Sequence, residues 1–116
     1  MKEFQLGEFE ELVMLTVGIL YQDAYGVAIK KEMEDRLKRG VSVGALQTAL
    51  QRLEKKGFLR SSEGQGTQER AGRPKRFYTI TAQGKNALEY VKDTREKLWQ
   101  AIPNVAWNLK TVHGLR

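Results

Sequence analysis

The chain of 116 residues has no cysteine, one histidine and two prolines. Without cysteine there is neither a disulfide framework nor a thiolate for catalysis or metal binding. The single histidine, His113, lies near the C-terminus without an acidic neighbour at metal-ligand spacing, so we expect no metal and no cofactor. The usual bases and nucleophiles of covalent catalysis are therefore nearly absent. The composition predicts a protein that is not an enzyme.

Long apolar runs are also lacking. No segment approaches the length of a membrane span, and the N-terminus does not show the cationic and then apolar pattern of a signal peptide. We therefore expect a soluble, cytoplasmic protein that does not bind membranes. Apolar residues make up 41% of the chain and can supply a small core, but a domain of this size is marginal alone. Oligomerisation would add stability.

The chain is basic, with a formal net charge of +6, and the positive charge is unevenly placed. Residues 1–40 contain six basic and eight acidic side chains, residues 41–80 contain eight and three, and residues 81–116 contain six and three. The excess of positive charge is thus largest in the middle third of the chain. A concentrated basic segment is typical of a surface that binds nucleic acid.

The middle third begins with a segment whose apolar residues recur every three or four positions, as in one stripe of an α-helix. Ser42 stands where an N-cap is needed, because its hydroxyl can accept a hydrogen bond from a free backbone N–H. Gly57 stands where the helix should end, since glycine adopts the left-handed conformation without a Cβ penalty. The apolar stripe consists of Val43, Leu46, Leu50 and Leu53.

The opposite side of this predicted helix has small, amide, hydroxyl and cationic side chains and no carboxylate. Amides and hydroxyls can recognise base edges in the major groove, cations can neutralise phosphates, and a small residue lets the backbone approach closely. Ser42 is a candidate phosphate contact. An ordinary solvated helix face could have the same composition. The candidate DNA-binding residues of the helix are Gly44, Gln47, Thr48, Gln51, Arg52 and Lys55.

Two segments rich in strand-forming residues follow, at 58–62 and 75–80, and they predict a β-hairpin. We expect Tyr78 and Ile80 to face the core. The intervening sequence EGQGTQERAGRP is too polar to bury and too rich in glycine to be regular. Its cations could lie along DNA, or they could simply keep a flexible tip soluble. In a DNA-binding protein such a hairpin is called a wing, and its candidate DNA-binding residues are Arg70, Arg73, Lys75 and Arg76.

Two earlier segments have helical periodicity. The first helix is expected at Gly7–Leu20, with an inward face of Phe9, Leu12, Val13, Thr16, Ile19 and Leu20. The second is expected at about Gly26–Lys38, ended by Gly40, with Ile29, Met33 and Leu37 inward. The second and third helices form a helix-turn-helix, in which the third would be the recognition helix. With the hairpin they make a winged helix-turn-helix at residues 1–80.

A last long helix is predicted at residues 81–103, with Thr81 as its N-cap and Pro103 after its end. Its apolar stripe is too long for one small domain to cover. An uncovered stripe of this kind commonly pairs with a second copy of itself, so we expect a homodimer. The fold class is thus mostly α with a small β-hairpin, and residues 104–116 form a tail of unknown order. The predicted dimer residues are Leu88, Val91, Leu98 and Ile102.

Four segments together resemble the PadR-type transcriptional regulators: LGEFEELVMLTVGIL, AYGVAIKKEME, VSVGALQTALQRLEKKGFL and AGRPKRFYTITAQGKNAL. The resemblance covers about Leu6 to Trp99. It implies a winged helix-turn-helix repressor that dimerises through its last helix, and Tyr25 as a contact to a DNA phosphate. A half-buried aromatic is the simpler interpretation of Tyr25. Some members of that family hold flat aromatic effectors near a tryptophan, and Trp99 is the matching candidate, with core or interface packing as the alternative.

A dimer would place two recognition helices about one DNA turn apart and would bind a roughly palindromic operator of double-stranded DNA. One alternative is a winged-helix module whose basic face binds an acidic protein. Another is a small-molecule sensor whose affinity for DNA is weak in the absence of its ligand.

Overall fold

The computed structural model describes residues 5–66 and 74–109. Within these ranges the chain forms four α-helices and one antiparallel hairpin. The elements are α1 (Glu8–Leu20), a 3-10 turn (Tyr21–Asp23), α2 (Gly26–Leu37), α3 (Val43–Lys55), β1 (Leu59–Gly66), β2 (Pro74–Ile80), α4 (Ala82–Ala101) and a second 3-10 turn (Asn104–Trp107). The predicted fold class, a helical protein with one hairpin and a long last helix, is confirmed.

Helix α1 begins after Gly7, whose backbone N–H donates to Glu10 Oε1 at 2.9 Å. The buried face of α1 differs from the predicted one. Met14 and Val17 are fully buried, whereas Ile19, which we expected inside, is exposed. Val13, Met14 and Val17 form the buried side of the helix, whereas Ile19 lies on the other side with the exposed Leu15.

The turn between α2 and α3 is held by Glu34. Its Oε2 accepts from Lys30 Nζ and from the backbone N–H of Val41, each at 2.9 Å. These two hydrogen bonds hold the pKa of Glu34 below its ordinary value. The prediction that Gly40 ends α2 is wrong. Lys38 takes the left-handed conformation there, with φ of 58° and its N–H donating to Glu34 O.

Helix α3 has the predicted caps. Ser42 Oγ accepts from the backbone N–H of Ala45 at 3.1 Å, and Gly57 follows the helix with φ of 83°. Leu46, Leu50 and Leu53 are buried as expected. Val43, which the sequence places on the same stripe, is not buried: 59% of its surface is exposed.

The hairpin is longer than predicted. Strand β1 continues to Gly66, so Gly64 lies in a strand rather than in the tip loop, and the register shifts between Glu63 and Gly66. A Cβ on Gly64 would lie 2.8 Å from Phe77 Cδ1, and this position is therefore glycine for packing reasons. Tyr78 is buried and Ile80 packs against the core, as the sequence predicts.

Helix α4 starts at the predicted cap, since Thr81 Oγ1 accepts from the backbone N–H of Gly84 at 3.0 Å. Its first turns pack on the core through Ala87 and Leu88. Arg95 Nη2 then contacts Glu11 Oε1 at 3.0 Å and ties the middle of α4 to α1. Beyond this contact most residues of α4 are exposed, and the molecule measures 63 × 31 × 21 Å.

Candidate nucleic-acid interface

All six residues of α3 that the sequence predicts to contact DNA lie on its exposed face. Gly44, Gln47, Thr48, Gln51, Arg52 and Lys55 are all solvent-exposed. The face is rigidly held from behind, because three leucines of the same helix are fully buried. Side chains on such a face keep a fixed relation to the core, as base recognition requires.

The two cations of this face are available to a ligand. Among residues 5–66 and 74–109, neither Arg52 nor Lys55 forms an ion pair with a carboxylate. The one acidic residue of the helix, Glu54, accepts a hydrogen bond from Ser61 of β1. The charge of this carboxylate is thus directed towards the hairpin, and the face keeps its cationic character.

The hairpin packs against the start of α2. The backbone N–H of Tyr78 donates to Ala24 O at 2.8 Å, and Tyr25 forms an isolated bridge with Phe77. The rings of Tyr25 and Phe77 meet edge to face, with centroids 5.5 Å apart. Lys75 Nζ lies over the Tyr25 ring, 4.2 Å from its centroid. A cation, a phenol and a helix start are therefore brought together at the base of the wing.

This arrangement unites residues that are distant in sequence. Tyr25 is the N-cap residue of α2 and makes no side-chain cap, so the first N–H groups of the helix lack a side-chain acceptor. Such N–H groups and a nearby ammonium group favour anions. Gln47 of α3 is also close, because its Nε2 lies 3.6 Å from the position of a Cβ on Gly26. The structure is thus compatible with the proposed phosphate contact at Tyr25, although Tyr25 is also half-buried against Phe77.

Arg76 lies in a different environment from Lys75. Its Nη1 donates to Ser61 Oγ at 2.8 Å, and its Nη2 lies 3.7 Å from Glu63 Oε2. Because Ser61 also donates to Glu54, a chain of polar contacts joins α3, β1 and β2. These contacts were not predicted from the sequence, since they depend on how the hairpin docks on α3. Arg76 therefore helps to hold the hairpin against α3, through Ser61 and Glu54. The other two predicted wing cations, Arg70 and Arg73, lie outside the described residues.

An open groove of about 800 Å³ runs between the start of α1 and α3. Gly44, Thr48 and Arg52 line the groove on the α3 side, so the groove adjoins the exposed face of α3. Glu10 on the α1 side is paired with Lys56, whose Nζ lies 2.8 Å from Glu10 Oε1. Burial alone would raise the pKa of Glu10. The hydrogen bonds from Lys56 and from the Gly7 N–H and the nearby positive charges outweigh burial and hold this pKa below its ordinary value.

A second surface is apolar and lies on the uncovered part of the molecule. Of the four predicted dimer residues, Leu88 packs partly on the core, Val91 and Ile102 are half-buried, and Leu98 is 66% exposed. On α1, Leu15 and Ile19 are also exposed, one turn apart. The sequence predicts Ile19 to face inward and does not single out Leu15, because the periodicity of α1 alone does not show which of its apolar residues are covered.

Trp99 is 61% exposed on α4, and the second 3-10 turn brings Trp107 against it. The two ring centroids are 5.4 Å apart, with the planes inclined by 36°. The start of the predicted tail is therefore ordered and folds back on the helix that precedes it. An aromatic surface formed by two indoles is exposed at this end of the molecule.

The described part of the chain has no group of three or more side chains able to hold a metal ion. His113, the only histidine, lies outside that part. Across residues 5–66 and 74–109, no helix is both long enough and apolar enough to span a membrane.

A helix-turn-helix followed by a hairpin that packs on it defines a winged helix-turn-helix protein. Residues 14–90 match the sequence profile of the transcriptional regulator PadR-like family, and the chain belongs to that family. The predicted resemblance is thereby confirmed. The family consists of transcriptional regulators rather than enzymes, which also confirms the prediction that the chain is not an enzyme. Comparison with curated protein sequences gave no significant match.

Solved structures with the same fold support this assignment. A PadR-like transcription factor from Bacteroides fragilis is 25% identical, with a TM-score of 0.66 over 79% of this chain and 84% of the other. A PadR family transcriptional regulator from Eggerthella lenta is 29% identical, with a TM-score of 0.63 over 86% and 82%. A PadR family transcription regulator from Clostridium difficile is 25% identical, with a TM-score of 0.58 over 79% and 92%.

Proposed function

We propose that this protein is a sequence-specific repressor that binds a palindromic DNA operator as a homodimer. The observation that carries the proposal is the exposed face of α3. It combines amide and hydroxyl side chains with two cations that pair with no carboxylate of the described residues, and it is held by a buried leucine stripe. Amide side chains can hydrogen-bond base edges in the major groove, while the cations neutralise phosphates.

In this proposal, the base of the wing contacts the DNA backbone beside the recognition helix. Lys75 and Tyr25 supply a cation and a phenol next to the start of α2. Ser42 contacts a phosphate with the part of its hydroxyl that the helix cap leaves free. Arg70, Arg73 and Arg76 of the wing continue the basic surface, with the minor groove as the expected site for the arginines near the tip.

The homodimer rests on the apolar surface of α4 and α1. Leu98 of α4 and Leu15 and Ile19 of α1 are large apolar side chains, and each is 45–66% exposed. A two-fold dimer would cover these side chains and set two recognition helices about one DNA turn apart. Within this proposal, residues 1–80 form the DNA-binding domain, 81–103 the dimerisation helix and 104–116 a tail, and the protein acts in the cytoplasm.

The DNA contacts are tested by binding titrations at several salt concentrations. Arg52→Ala should reduce the slope of log affinity against log salt by about one unit, because one phosphate contact is lost. Gln51→Ala should cost about 1–3 kcal/mol at one base position per half-site and leave the slope nearly unchanged. Lys97→Glu, on the polar side of α4, is the control and should change neither quantity. Unchanged binding in the α3 variants, or tight binding to an acidic protein instead of DNA, would contradict the proposal.

A small planar aromatic effector is the remaining part of the proposal, with Trp99 as its contact. The two exposed indoles of Trp99 and Trp107 support it, since a flat ring can stack on them. The chain has only two tryptophans, so Trp107→Phe leaves Trp99 as the sole indole fluorophore. Saturable quenching of this variant by planar aromatics, together with weaker DNA binding, is the expected result. No quenching in dimeric protein would eliminate this role.

A further inference from the structure

Val43 is an apolar residue at the first position of the recognition helix, yet it is outside the core. Its surface is 59% exposed, whereas Leu46, Leu50 and Leu53 of the same helix are at most 2% exposed. The valine therefore contributes little to burial and must be explained by its surroundings.

Val43 adjoins the exposed face of α3, which is the proposed DNA-binding surface. Gln47, four residues later, lies one turn above Val43 on the same flank of the helix. The Gln47 amide approaches Gly26, so this flank of α3 faces the start of α2 and not the core. Gly44, the next residue, has no side chain, and a Cβ there would meet only Ser42 Oγ at 3.7 Å. The isopropyl group of Val43 is thus open to any ligand that contacts the first turn of α3.

The N-terminal residues of a recognition helix contact base edges in the major groove. Among the groups that bases present there, the thymine C5-methyl is the apolar one. We propose that Val43 determines specificity by contacting a thymine methyl group in each half-site of the operator. This inference rests on the proposed function, because it requires that α3 bind DNA. A β-branched side chain in a helix has one strongly preferred rotamer, so Val43 presents its methyl groups without loss of side-chain freedom.

The test removes the methyl group from the DNA and the isopropyl group from the protein separately. Thymines of a duplex selected by the wild-type protein are replaced one at a time by deoxyuridine, which keeps the base pair and lacks only the methyl. The wild type should lose about fourfold in affinity at one position per half-site, the equivalent of one buried methyl group. Val43→Ala should bind the thymine and deoxyuridine duplexes equally.

The matched control is Val27→Ala. Val27 lies in the first turn of α2 and is 57% exposed, but it is not on the recognition helix. This variant should keep the thymine preference of the wild type. Both valines are exposed, so equal unfolding midpoints of the two variants and the wild type will show that folding is intact.

Two results would overturn the inference about Val43 while leaving the proposed function in place. One is sequence-specific binding whose affinity stays unchanged whichever thymine is replaced by deoxyuridine. The other is a thymine preference that persists in Val43→Ala. If the wild type selects no sequence from a random library, the proposed function itself fails, and the inference fails with it.

Discussion

Two glycines, each inside the first turn of a helix, should respond in opposite ways to the same substitution. At Gly84 of α4, an added Cβ would lie 2.9 Å from Met14 Cε and 3.0 Å from the carbonyl carbon of Phe58, and still closer to the Phe58 oxygen. At Gly44 of α3, the nearest atom to an added Cβ is Ser42 Oγ, at the ordinary contact distance of 3.7 Å. An alanine side chain would therefore overlap the core at Gly84, whereas it fits without overlap at Gly44.

The magnitude for Gly84→Ala follows from what would have to move. A flexible side chain such as Met14 can shift, but the Phe58 carbonyl is backbone and accepts the N–H of Thr81 at 3.1 Å. Relief of the overlap requires α4 to move away from the core, so the cost should be in the upper part of the range of about 1–3 kcal/mol for overpacked sites. Gly44→Ala should be neutral or should stabilise by up to about 1 kcal/mol, because alanine is the better helix former.

The measurement is urea unfolding of both variants beside a titration with operator DNA. We expect Gly84→Ala to lower the free energy of unfolding and Gly44→Ala to leave it unchanged or raise it. Although Gly44→Ala should not reduce stability, it should weaken DNA binding by about tenfold or more, because the added methyl would keep the helix backbone away from the DNA. Equal stability of the two variants would refute the packing argument, and full DNA affinity of Gly44→Ala would refute the close approach of α3.

Three further predictions concern stability and assembly. Lys38→Gly should raise the free energy of unfolding by about 1 kcal/mol, because Lys38 is held in the left-handed conformation, whereas Arg39→Gly, without a positive φ, should lower it. The low folded-state pKa of Glu10 stabilises the protein above the ordinary carboxyl pKa of 4.5, and this stability is lost as pH falls through the folded value. Lys56→Gln removes a hydrogen bond and a charge that lower this pKa, so acid unfolding should begin at higher pH, with a loss of about 1 kcal/mol at neutral pH. Leu98→Lys should convert the dimer to monomers in sedimentation experiments and Lys97→Glu should not; dimers in both variants would contradict the α4 interface.

Local signals in the sequence were sufficient for most element boundaries. Ser42 and Thr81 accept the cap hydrogen bonds expected of them, and Gly57 has the positive φ that ends α3. Pro103 follows the end of α4. Such features depend on residues within one or two turns of each other, and sequence spacing describes them directly.

Features that depend on docking between elements could not be predicted in this way. The periodicity of α1 shows an apolar helix but not which of its sides the other elements cover, and Ile19 lies outside the buried side. The position of Val43 on a helical stripe does not show that the core ends before it. The contacts of Arg76 with the hairpin and of Arg95 with α1 join residues far apart in the chain, so no local pattern specifies them.

The central claim is that the face of α3 recognises a DNA sequence. The most direct measurement is selection of bound duplexes from a random library at physiological salt, carried out in parallel for the wild type and for Gln51→Ala. We predict that the wild type enriches an inverted repeat with half-sites about one helical turn apart, and that Gln51→Ala loses the preference at one position in each half-site. Enrichment of no sequence by the wild type, or of the same sequence with the same preferences by Gln51→Ala, would contradict the claim.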